Sequence, residues 1–304
     1  MRVLVVGAGA IGGYFGGRLA EAGQDVTFLV RPRRAAQIAA NGLVVRSPKG
    51  DIGRPVRTVS AAAPGGPYDA VLLSCKAFDL DDAMASFAPA VGPGTAIVPL
   101  LNGMRHLDAL DARFGPDAVL GGQCQIAATL DPDGTVRHLS PLQTISIGER
   151  SGTMPPRVVA LGEALAVAGG RASPTILQDM WEKWVFLASL AALTCLMRAA
   201  VGDIVTAGGA WVGQGLFDEA AVVATAAGFP PRPAATERMR GMLGQPGLDF
   251  TASMMRDIEQ GNRIEAAHIV GDLVARGTPD AMPLFRLALV HLYAYEARRA
   301  RQPG

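Results

Sequence analysis

The chain has 304 residues, of which 49% are hydrophobic and 18% are charged, and its formal net charge is +1. This length and composition are typical of a folded chain of about two domains and exclude a disordered one. The even balance of charge excludes a broad basic surface for nucleic acid, so we expect a cytoplasmic enzyme that acts on a small molecule.

The cysteines and the apolar segments narrow the class further. Cys75, Cys124 and Cys195 are widely spaced and have no histidine at metal-ligand spacing, which predicts reduced thiols and no metal site. Met1 leads directly into an apolar strand pattern, so we expect no secretion signal. The uncharged stretch 184–197 is shorter than the roughly 20 apolar residues of a membrane span. It predicts a buried helix and no membrane partner.

The N-terminal half alternates short apolar runs with helical spacing. Strands are predicted at residues 2–6, 25–30, 43–45, 56–59, 68–74 and 95–101, with sheet edges at 118–122 and 143–147. Helical spacing lies between residues 14 and 23 and over 81–90. This alternation predicts a doubly wound α/β sheet of the Rossmann type.

The sequence pattern changes after about residue 170, beyond which no strand pattern is found. Helical spacing covers residues 175–205, 211–227, 236–242, 252–276 and 283–301, separated by Pro- and Gly-rich loops. We therefore predict a Rossmann domain over residues 1–172 and an all-α domain, carrying substrate and catalytic residues, over 173–304.

A glycine-rich motif, GxGxxG, follows the first predicted strand and is formed by Gly7, Ala8, Gly9, Ala10, Ile11 and Gly12. It opens a helix and leads to a second strand, which is the context that dinucleotide binding requires. Gly7 permits a tight turn, Gly9 lets the backbone approach a pyrophosphate, and Gly12 allows close packing of helix on strand. The motif predicts a nicotinamide dinucleotide; a glycine turn without a cofactor is the alternative.

The end of the second predicted strand distinguishes NAD from NADP. Arg31 stands there, further arginines follow at 33 and 34, and the next acidic residue is Asp51. A carboxylate at this point would bind the ribose 2′-hydroxyl of NAD, whereas arginine binds the 2′-phosphate of NADP. We therefore predict NADPH as the cofactor, with a solvated arginine loop as the alternative.

Four polar motifs follow in order. Lys76 and Asn102 come directly after predicted strands, where open α/β sheets bind ligands. Lys183 lies inside an apolar helical pattern in the motif WEKW. The segment SMMRDIEQGNRIEA, residues 253–266, contains Ser253 and Glu265. Together with the glycine motif, this order and spacing resemble the ketopantoate reductase (2-dehydropantoate 2-reductase) family over essentially the whole chain.

The resemblance implies roles for the cofactor residues. The glycine motif and Arg31 would bind NADPH, and Lys76 and Asn102 would lie beside its ribose and nicotinamide. Glu265 would lie near the nicotinamide ribose and near the catalytic lysine. The cofactor would transfer a hydride to the carbonyl carbon of a 2-oxo acid, either ketopantoate or a less polar analogue.

The resemblance also implies roles toward the substrate. Lys183 would bind the substrate and protonate its carbonyl oxygen, Ser253 would bind the carboxylate, and Asn102 would contact the substrate. Elementary chemistry supports the lysine, because an ammonium group stabilises negative charge that develops on oxygen and then donates a proton. The alternatives are that Lys183 only extends to solvent from a packed helix and that Glu265 only pairs with Arg263.

The chain departs from the family at several polar positions. Leu187 and Ala191 share one helix face with Lys183, since they follow it by four and eight residues. The family has asparagines at these two positions and at Phe250, and it has an acid at Ala267. An apolar wall beside Lys183 predicts a 2-oxo compound less polar than ketopantoate as the preferred substrate.

Other functions stay open at this point. An imine- or opine-type reductase would have the same two-domain organisation. A redox sensor would bind NADPH without turnover. A sensor has no use for a lysine in an apolar helix, so Lys183 favours an enzyme. We also expect residues 184–197 to be shared between the core and a homodimer contact. No role is predicted for the histidines, His106, His138, His268 and His291.

Overall fold

The computed structural model describes residues 1–301, and the chain folds as two compact units. The first unit comprises Met1–Leu101 and His106–Ile176, and the second comprises Asn102–Arg105 and the chain from Leu177 onward. The sequence predicted a boundary at residue 172, and the main change of unit falls after Ile176. The predicted domains did not include the short excursion of Asn102–Arg105 into the second unit.

Two sheets organise the first unit. Its strands are β1 (Arg2–Val6), β2 (Asp25–Leu29), β3 (Leu43–Arg46), β4 (Ile52–Arg54), β5 (Arg57–Val59), β6 (Ala70–Leu73), β7 (Ala96–Pro99), β8 (Gly121–Leu130), β9 (Val136–Gly148) and β10 (Gly170–Ala172). A parallel sheet has the order β5-β2-β1-β6-β7. A second, mixed sheet has the order β10-β9-β3-β4, with β8 paired to β9. The predicted α/β architecture is therefore confirmed.

One of the two predicted sheet edges is confirmed in part, because residues 118–120 pair in parallel with Ile97 of β7. The other, residues 143–147, belongs to β9 of the second sheet. β8 and β9 pair antiparallel, and their register shifts between Ile126 and Ala128. A tight turn joins them, in which the backbone N–H of Gly134 donates to the carbonyl of Asp131 at 2.9 Å. The hairpin forms because this turn lets two consecutive strands pair with each other, whereas the isolated apolar runs did not show their partners.

Helices cover the strands of the first unit. They are α1 (Ala10–Glu21), α2 (Pro32–Asn41), α3 (Leu80–Phe87), α4 (Arg105–Phe114) and α5 (Pro156–Leu165). α1 packs against both sheets, because a Cβ on Gly16 would lie 2.6 Å from the Phe28 ring and one on Gly13 would lie 2.8 Å from Val136. Glycines therefore let this helix approach β2 on one side and β9 on the other.

The second unit is helical. Its helices are α6 (Ile176–Met197), α7 (Val201–Thr206), α8 (Ala210–Ala226), α9 (Pro233–Leu243), α10 (Ser253–Glu259), α11 (Asp272–Arg276) and α12 (Pro283–Ala300). A wide π-helical turn, Ala267–Gly271, leads into α11. The prediction of a helical C-terminal region is confirmed.

Two predicted helices are interrupted. The pattern at 175–205 breaks at Arg198, whose φ of 55° is left-handed, so α6 ends at Met197. The pattern at 252–276 breaks after Glu259, where Gly261 has a φ of 71°. Apolar residues resume beyond each break, at Val201 and at Ile264, and this is why the sequence predicted single helices.

Helix α6 is the buried helix that the sequence predicted. Among the described residues it alone has the length and apolar character of a membrane span, but 72% of its most apolar window is buried inside the protein. Trp184, Val185 and Ala188 are almost completely covered, and Met197 at its end is exposed. Because the chain itself covers most of this helix, its apolar surface does not require a second copy, and the homodimer contact stays a prediction.

Candidate functional site

The glycine motif forms a tight turn between β1 and α1. Gly7 has a φ of 91°, and a Cβ on Gly12 would lie 2.0 Å from the Gly7 carbonyl oxygen, so both positions require glycine. A Cβ on Gly9 would meet nothing within 4 Å, so open space lies beside its backbone. Within residues 1–301 no side chain caps the N-terminus of α1 at Gly9, and its first turn has no acidic residue. These residues fit a dinucleotide, whose phosphates need an open approach and available N–H groups.

Two side chains that sequence reasoning missed hold this turn in place. The Ser74 hydroxyl lies 3.0 Å from the Val6 carbonyl oxygen and 3.2 Å from that of Gly7. The Arg34 Nε donates to the Ala8 carbonyl at 2.8 Å, and its Nη1 donates to the Gly134 carbonyl at 2.7 Å. Arg34 was predicted as one of several arginines near a phosphate, and the structure engages it with the backbone of the glycine motif instead.

Arg31 lies at the N-terminal cap of α2, so the arginines open a helix and are not a loop. Its side chain is 72% exposed, and its Nη2 lies 3.0 Å from an Asp79 carboxylate oxygen. Asp79 belongs to a short 3-10 turn that begins after the exposed Lys76. This ion pair brings together the ends of β2 and β6, which carry two of the residues predicted to bind cofactor.

Helix α6 carries the predicted lysine in the second unit. Lys183 and Leu187 are half-buried, as is Phe186 beside them. Ala191 lies two turns after Lys183 and is fully buried. Lys183 and Leu187 therefore retain accessible surface on the predicted helix face, whereas Ala191 is part of the core.

A buried ionic cluster fixes α6 next to the lysine. The Glu182 carboxylate is 6% exposed and accepts hydrogen bonds from Arg232 at 2.6–2.9 Å and from Gln178 at 3.1 Å. Arg232 also donates to Asp179 at 2.6 Å. Burial acts to raise the pKa of Glu182, but the hydrogen bonds from Arg232 and Gln178 outweigh it and hold that pKa below its ordinary value. Glu182 therefore stays charged, and its bonds set the rotation of the helix that carries Lys183.

The segment from Phe250 to Ser253 lies against the same helix. The Phe250 ring is stacked on Phe186, with 6.3 Å between ring centroids and an angle of 16° between planes. The backbone N–H of Ala252 donates to the Thr194 hydroxyl at 3.3 Å. Ser253 is half-buried and is the first residue of α10. The structure therefore brings Phe250 and Ser253 to α6 and adds Phe186, which sequence reasoning missed.

Glu265 is buried and lies two residues before the start of the π-helical turn. The backbone N–H of Ile269 donates to the Glu265 carbonyl at 2.9 Å. The Trp184 indole N–H donates to the Ile269 carbonyl at 3.0 Å, and Trp184 follows Lys183 in sequence. One hydrogen bond thus joins the segments that carry the predicted lysine and the predicted acid.

Helix α12 contacts the loop that leads to Glu265. Arg263 is exposed, and its charge acts on Glu296 of α12, where it opposes the effect of burial on the pKa of that glutamate. The Tyr295 hydroxyl of the same helix donates to the Asn262 carbonyl at 2.7 Å. Helix α12 therefore holds the loop that leads to Glu265.

Asn102 belongs to the second unit although it follows a strand of the first. The ring of His268 is hydrogen-bonded to the Asn102 backbone. Gly103 has a φ of 78°, and a Cβ there would lie 3.1 Å from the His268 carbonyl oxygen. The π-helical turn after Glu265 therefore contacts the Asn102 loop through His268. Sequence reasoning assigned His268 no role, and its place three residues after Glu265 was the one signal available.

All three cysteines fall in the described part of the chain, and none forms a disulfide. Burial raises the pKa of the Cys195 thiol to about 12. Within residues 1–301 no group of three or more His, Cys, Asp or Glu side chains is placed to hold a metal ion.

Comparison with known proteins identifies the family. Residues 3–152 match the family described as ketopantoate reductase PanE/ApbA, and residues 175–292 match its C-terminal counterpart. The chain is 36% identical to the uncharacterized oxidoreductase YkpB of Bacillus subtilis, over 98% of this chain and 100% of that protein.

Proteins named for the reaction are also similar. A 2-dehydropantoate 2-reductase of Mesorhizobium japonicum is 31% identical over 97% of this chain and 98% of its own length. The crystal structure of 2-dehydropantoate 2-reductase from Geobacter metallireducens superposes with a TM-score of 0.88 at 30% identity, covering 97% of this chain and 99% of that one. The chain therefore belongs to the ketopantoate reductase (PanE/ApbA) family of oxidoreductases.

Proposed function

We propose that this protein catalyses the NADPH-dependent reduction of a 2-oxo acid with a largely apolar side chain, with Lys183 as the proton donor. The observation that carries the proposal is the hydrogen bond from Trp184 to Ile269, because it joins the segments that bear Lys183 and Glu265. The names of the similar reductases support the reaction class.

The first unit would hold the cofactor. The residues proposed for this role are Gly7, Ala8, Gly9, Ala10, Ile11, Gly12, Arg31 and Lys76. The family resemblance adds Asn102 and Glu265 as cofactor contacts. The open space beside Gly9 and the uncapped start of α1 suit the pyrophosphate. The exposed guanidinium of Arg31 suits the 2′-phosphate. When bound, NADPH supplies the hydride that reduces the carbonyl carbon.

Lys183 would supply charge and a proton at the carbonyl oxygen. Its ammonium group stabilises negative charge as it develops there, then gives the oxygen a proton and recovers one from solvent. The neighbouring Glu182 is fully engaged by Arg232, so its carboxylate is directed away from this task. The buried Glu265 would hold the lysine in its charged form.

The surroundings of Lys183 favour an apolar substrate. Leu187, Phe186 and Phe250 present hydrocarbon surface where an amide would bind hydroxyl groups. Ser253 would bind the carboxylate that 2-oxo acids share. We expect ketopantoate, which carries a hydroxyl group, to be a poorer substrate than a 2-oxo acid with a branched aliphatic or phenyl side chain.

Steady-state kinetics under saturating NADPH test this proposal. Absorbance of NADPH would be followed with ketopantoate, a branched aliphatic 2-oxo acid and a phenyl-substituted 2-oxo acid. Each missing hydrogen bond to a polar group of ketopantoate should cost about 1–3 kcal/mol, so the expected kcat/KM is lower for ketopantoate by one or more orders of magnitude.

Two results would contradict the proposal. A kcat/KM for ketopantoate well above both apolar analogues would show that other side chains supply the missing polar contacts. Turnover only when an amine is added to the 2-oxo acid would assign the protein to imine reduction instead. Phe250→Asn provides a matched variant, since restoring the amide should improve ketopantoate and not the phenyl analogue.

A further inference from the structure

His268 lies where three segments of the second unit meet. Its backbone N–H donates to the Glu265 carbonyl at 3.2 Å. Its ring is hydrogen-bonded to the backbone of Asn102. The next residue, Ile269, accepts the hydrogen bond from Trp184. The π-helical turn thus has one contact toward Glu265, one toward Asn102 and one toward the helix that carries Lys183.

We propose that His268 is a positioning residue that sets the place of Asn102 relative to Glu265 and Lys183. This inference rests on the proposed function, because it gives Asn102 its importance as a cofactor and substrate contact. His268 acts through the Asn102 backbone and needs no contact of its own with substrate.

The geometry of Gly103 supports a close fit between ring and loop. A Cβ at Gly103 would lie 3.3 Å from the His268 Cδ2 and 3.4 Å from its Nε2. Gly103 also has a positive φ of 78°, which side chains with a Cβ rarely adopt. The Nε2 edge of the ring therefore lies against the backbone of the loop, and this loop conformation depends on glycine.

The hydrogen bond requires a donor on the ring. The contact with the Asn102 backbone favours the protonated ring, which identifies the backbone carbonyl as the acceptor and the ring N–H as the donor. Charges from several segments face the ring: Glu265 precedes it, Asp272 begins α11, and Arg105 follows the Asn102 loop. Burial lowers the pKa of His268 despite the two carboxylates, so the neutral ring, with one donor and one acceptor, is the form present at neutral pH.

Two substitutions separate positioning from packing. Glutamine places an amide N–H near the position of Nε2 and does not titrate, whereas leucine keeps bulk and removes the donor. We expect His268→Gln to keep an NADPH dissociation constant close to that of the wild type. We expect His268→Leu to weaken NADPH binding and to lower kcat by about tenfold, which is the usual effect of removing one buried hydrogen bond. Melting temperatures should stay similar.

The NADPH dissociation constant, measured by fluorescence quenching without substrate, keeps this test separate from the proposed reaction. A wild-type protein that binds NADPH but reduces no 2-oxo acid would overturn the proposed function and leave the binding comparison valid. Equal NADPH affinity and turnover in the leucine variant and the wild type would overturn the positioning role. Wild-type protein that does not bind NADPH would overturn both.

Nuclear magnetic resonance of the wild-type protein covers the case in which the leucine variant fails to fold. The chain has four histidines, so the resonance of His268 can be assigned by its loss in His268→Gln. We expect saturating NADPH to change the chemical shift and the titration midpoint of this ring. An unchanged His268 resonance with a saturated cofactor site would overturn the proposal.

Discussion

The residues proposed to hold the cofactor pyrophosphate lie within one short stretch, residues 7–12, whereas those proposed for substrate binding and catalysis are spread from Asn102 to Glu265. The glycine turn is held by neighbouring backbone and by Ser74 and Arg34. The catalytic segments are held by contacts between residues distant in sequence, such as the hydrogen bond from Trp184 to Ile269. A local motif such as the glycine turn can therefore be recognised from its spacing. The contacts that join the catalytic segments are seen only in the fold.

The largest expected effect tests whether the two regions act separately. Lys183→Ala should lower kcat by about 10²–10⁴-fold, the usual contribution of a positioned proton donor. NADPH affinity should change little, because the glycine turn and Arg31 are left intact. Stopped-flow turnover and fluorescence titration measure the two quantities. Lys49→Ala, at an exposed lysine, is the matched control, and full turnover in Lys183→Ala would reduce Lys183 to a packed helix residue.

The second largest effect concerns the free energy of unfolding, through the ionic cluster that fixes helix α6. Arg232→Met leaves the buried carboxylates of Glu182 and Asp179 without their partner and should cost about 3 kcal/mol, the lower end for a buried pair because Arg232 is itself half exposed. Urea unfolding at neutral pH measures this loss. Arg238→Met, at an exposed arginine of α9, should cost little.

The pH dependence of the stability lost in Arg232→Met provides a further test of this ionic cluster. In the wild type the pKa of Glu182 lies below its ordinary value, so its stabilising effect is present at neutral pH and is lost as pH falls through that lowered pKa. Without Arg232, only the hydrogen bond from Gln178 opposes burial, so we expect the pKa of the carboxylate to rise. The stability difference between variant and wild type should therefore shrink as pH falls below the ordinary range of a glutamate. A difference that is constant with pH would show that the lost stability comes from packing.

The third effect concerns cofactor choice in the first unit. Arg31→Ala should weaken NADPH binding by roughly ten- to a hundredfold, since a charge-assisted hydrogen bond contributes about 1.5–3 kcal/mol. NADH affinity should stay the same, because NADH has no 2′-phosphate. Arg33→Ala, at the exposed neighbour, is the control. Equal wild-type affinities for the two cofactors would remove Arg31 from this role.

The smallest expected effect is an increase in NADPH affinity, the opposite of the decrease expected for Arg31→Ala. Asp79 pairs with Arg31 and would compete with the proposed 2′-phosphate for it. An exposed pair of this kind contributes about 0.2–1 kcal/mol, so Asp79→Asn should strengthen NADPH binding by up to about fivefold. Weaker NADPH binding in this variant would indicate that Asp79 orients Arg31 for the phosphate. Calorimetry with NADPH and NADH distinguishes the two outcomes.

The difference between local motifs and long-range contacts also explains which parts of the structure could be predicted from the sequence. The strands around the glycine motif, such as Arg2–Val6, were predicted because apolar runs and glycine spacing are local properties. The end of α6 was missed because Arg198 adopts a positive φ without being glycine. Glu182 and Arg232 are separated by 50 residues, and His268 and Asn102 are also distant in sequence. No local sequence pattern therefore predicts either contact. The apolar surface of α6, which predicted a dimer, is covered largely by its own chain.

The alkylation rates of the two buried thiols would report how readily each unit opens to solvent. Cys124 lies in β8 of the first unit, and Cys195 lies near the end of α6 in the second. With its pKa raised to about 12, the Cys195 thiol can react with an alkylating reagent only after its helix opens to water. The alkylation rate at each cysteine, read by mass spectrometry, would therefore give the opening free energy of cofactor-binding and lysine-bearing regions independently in a single sample.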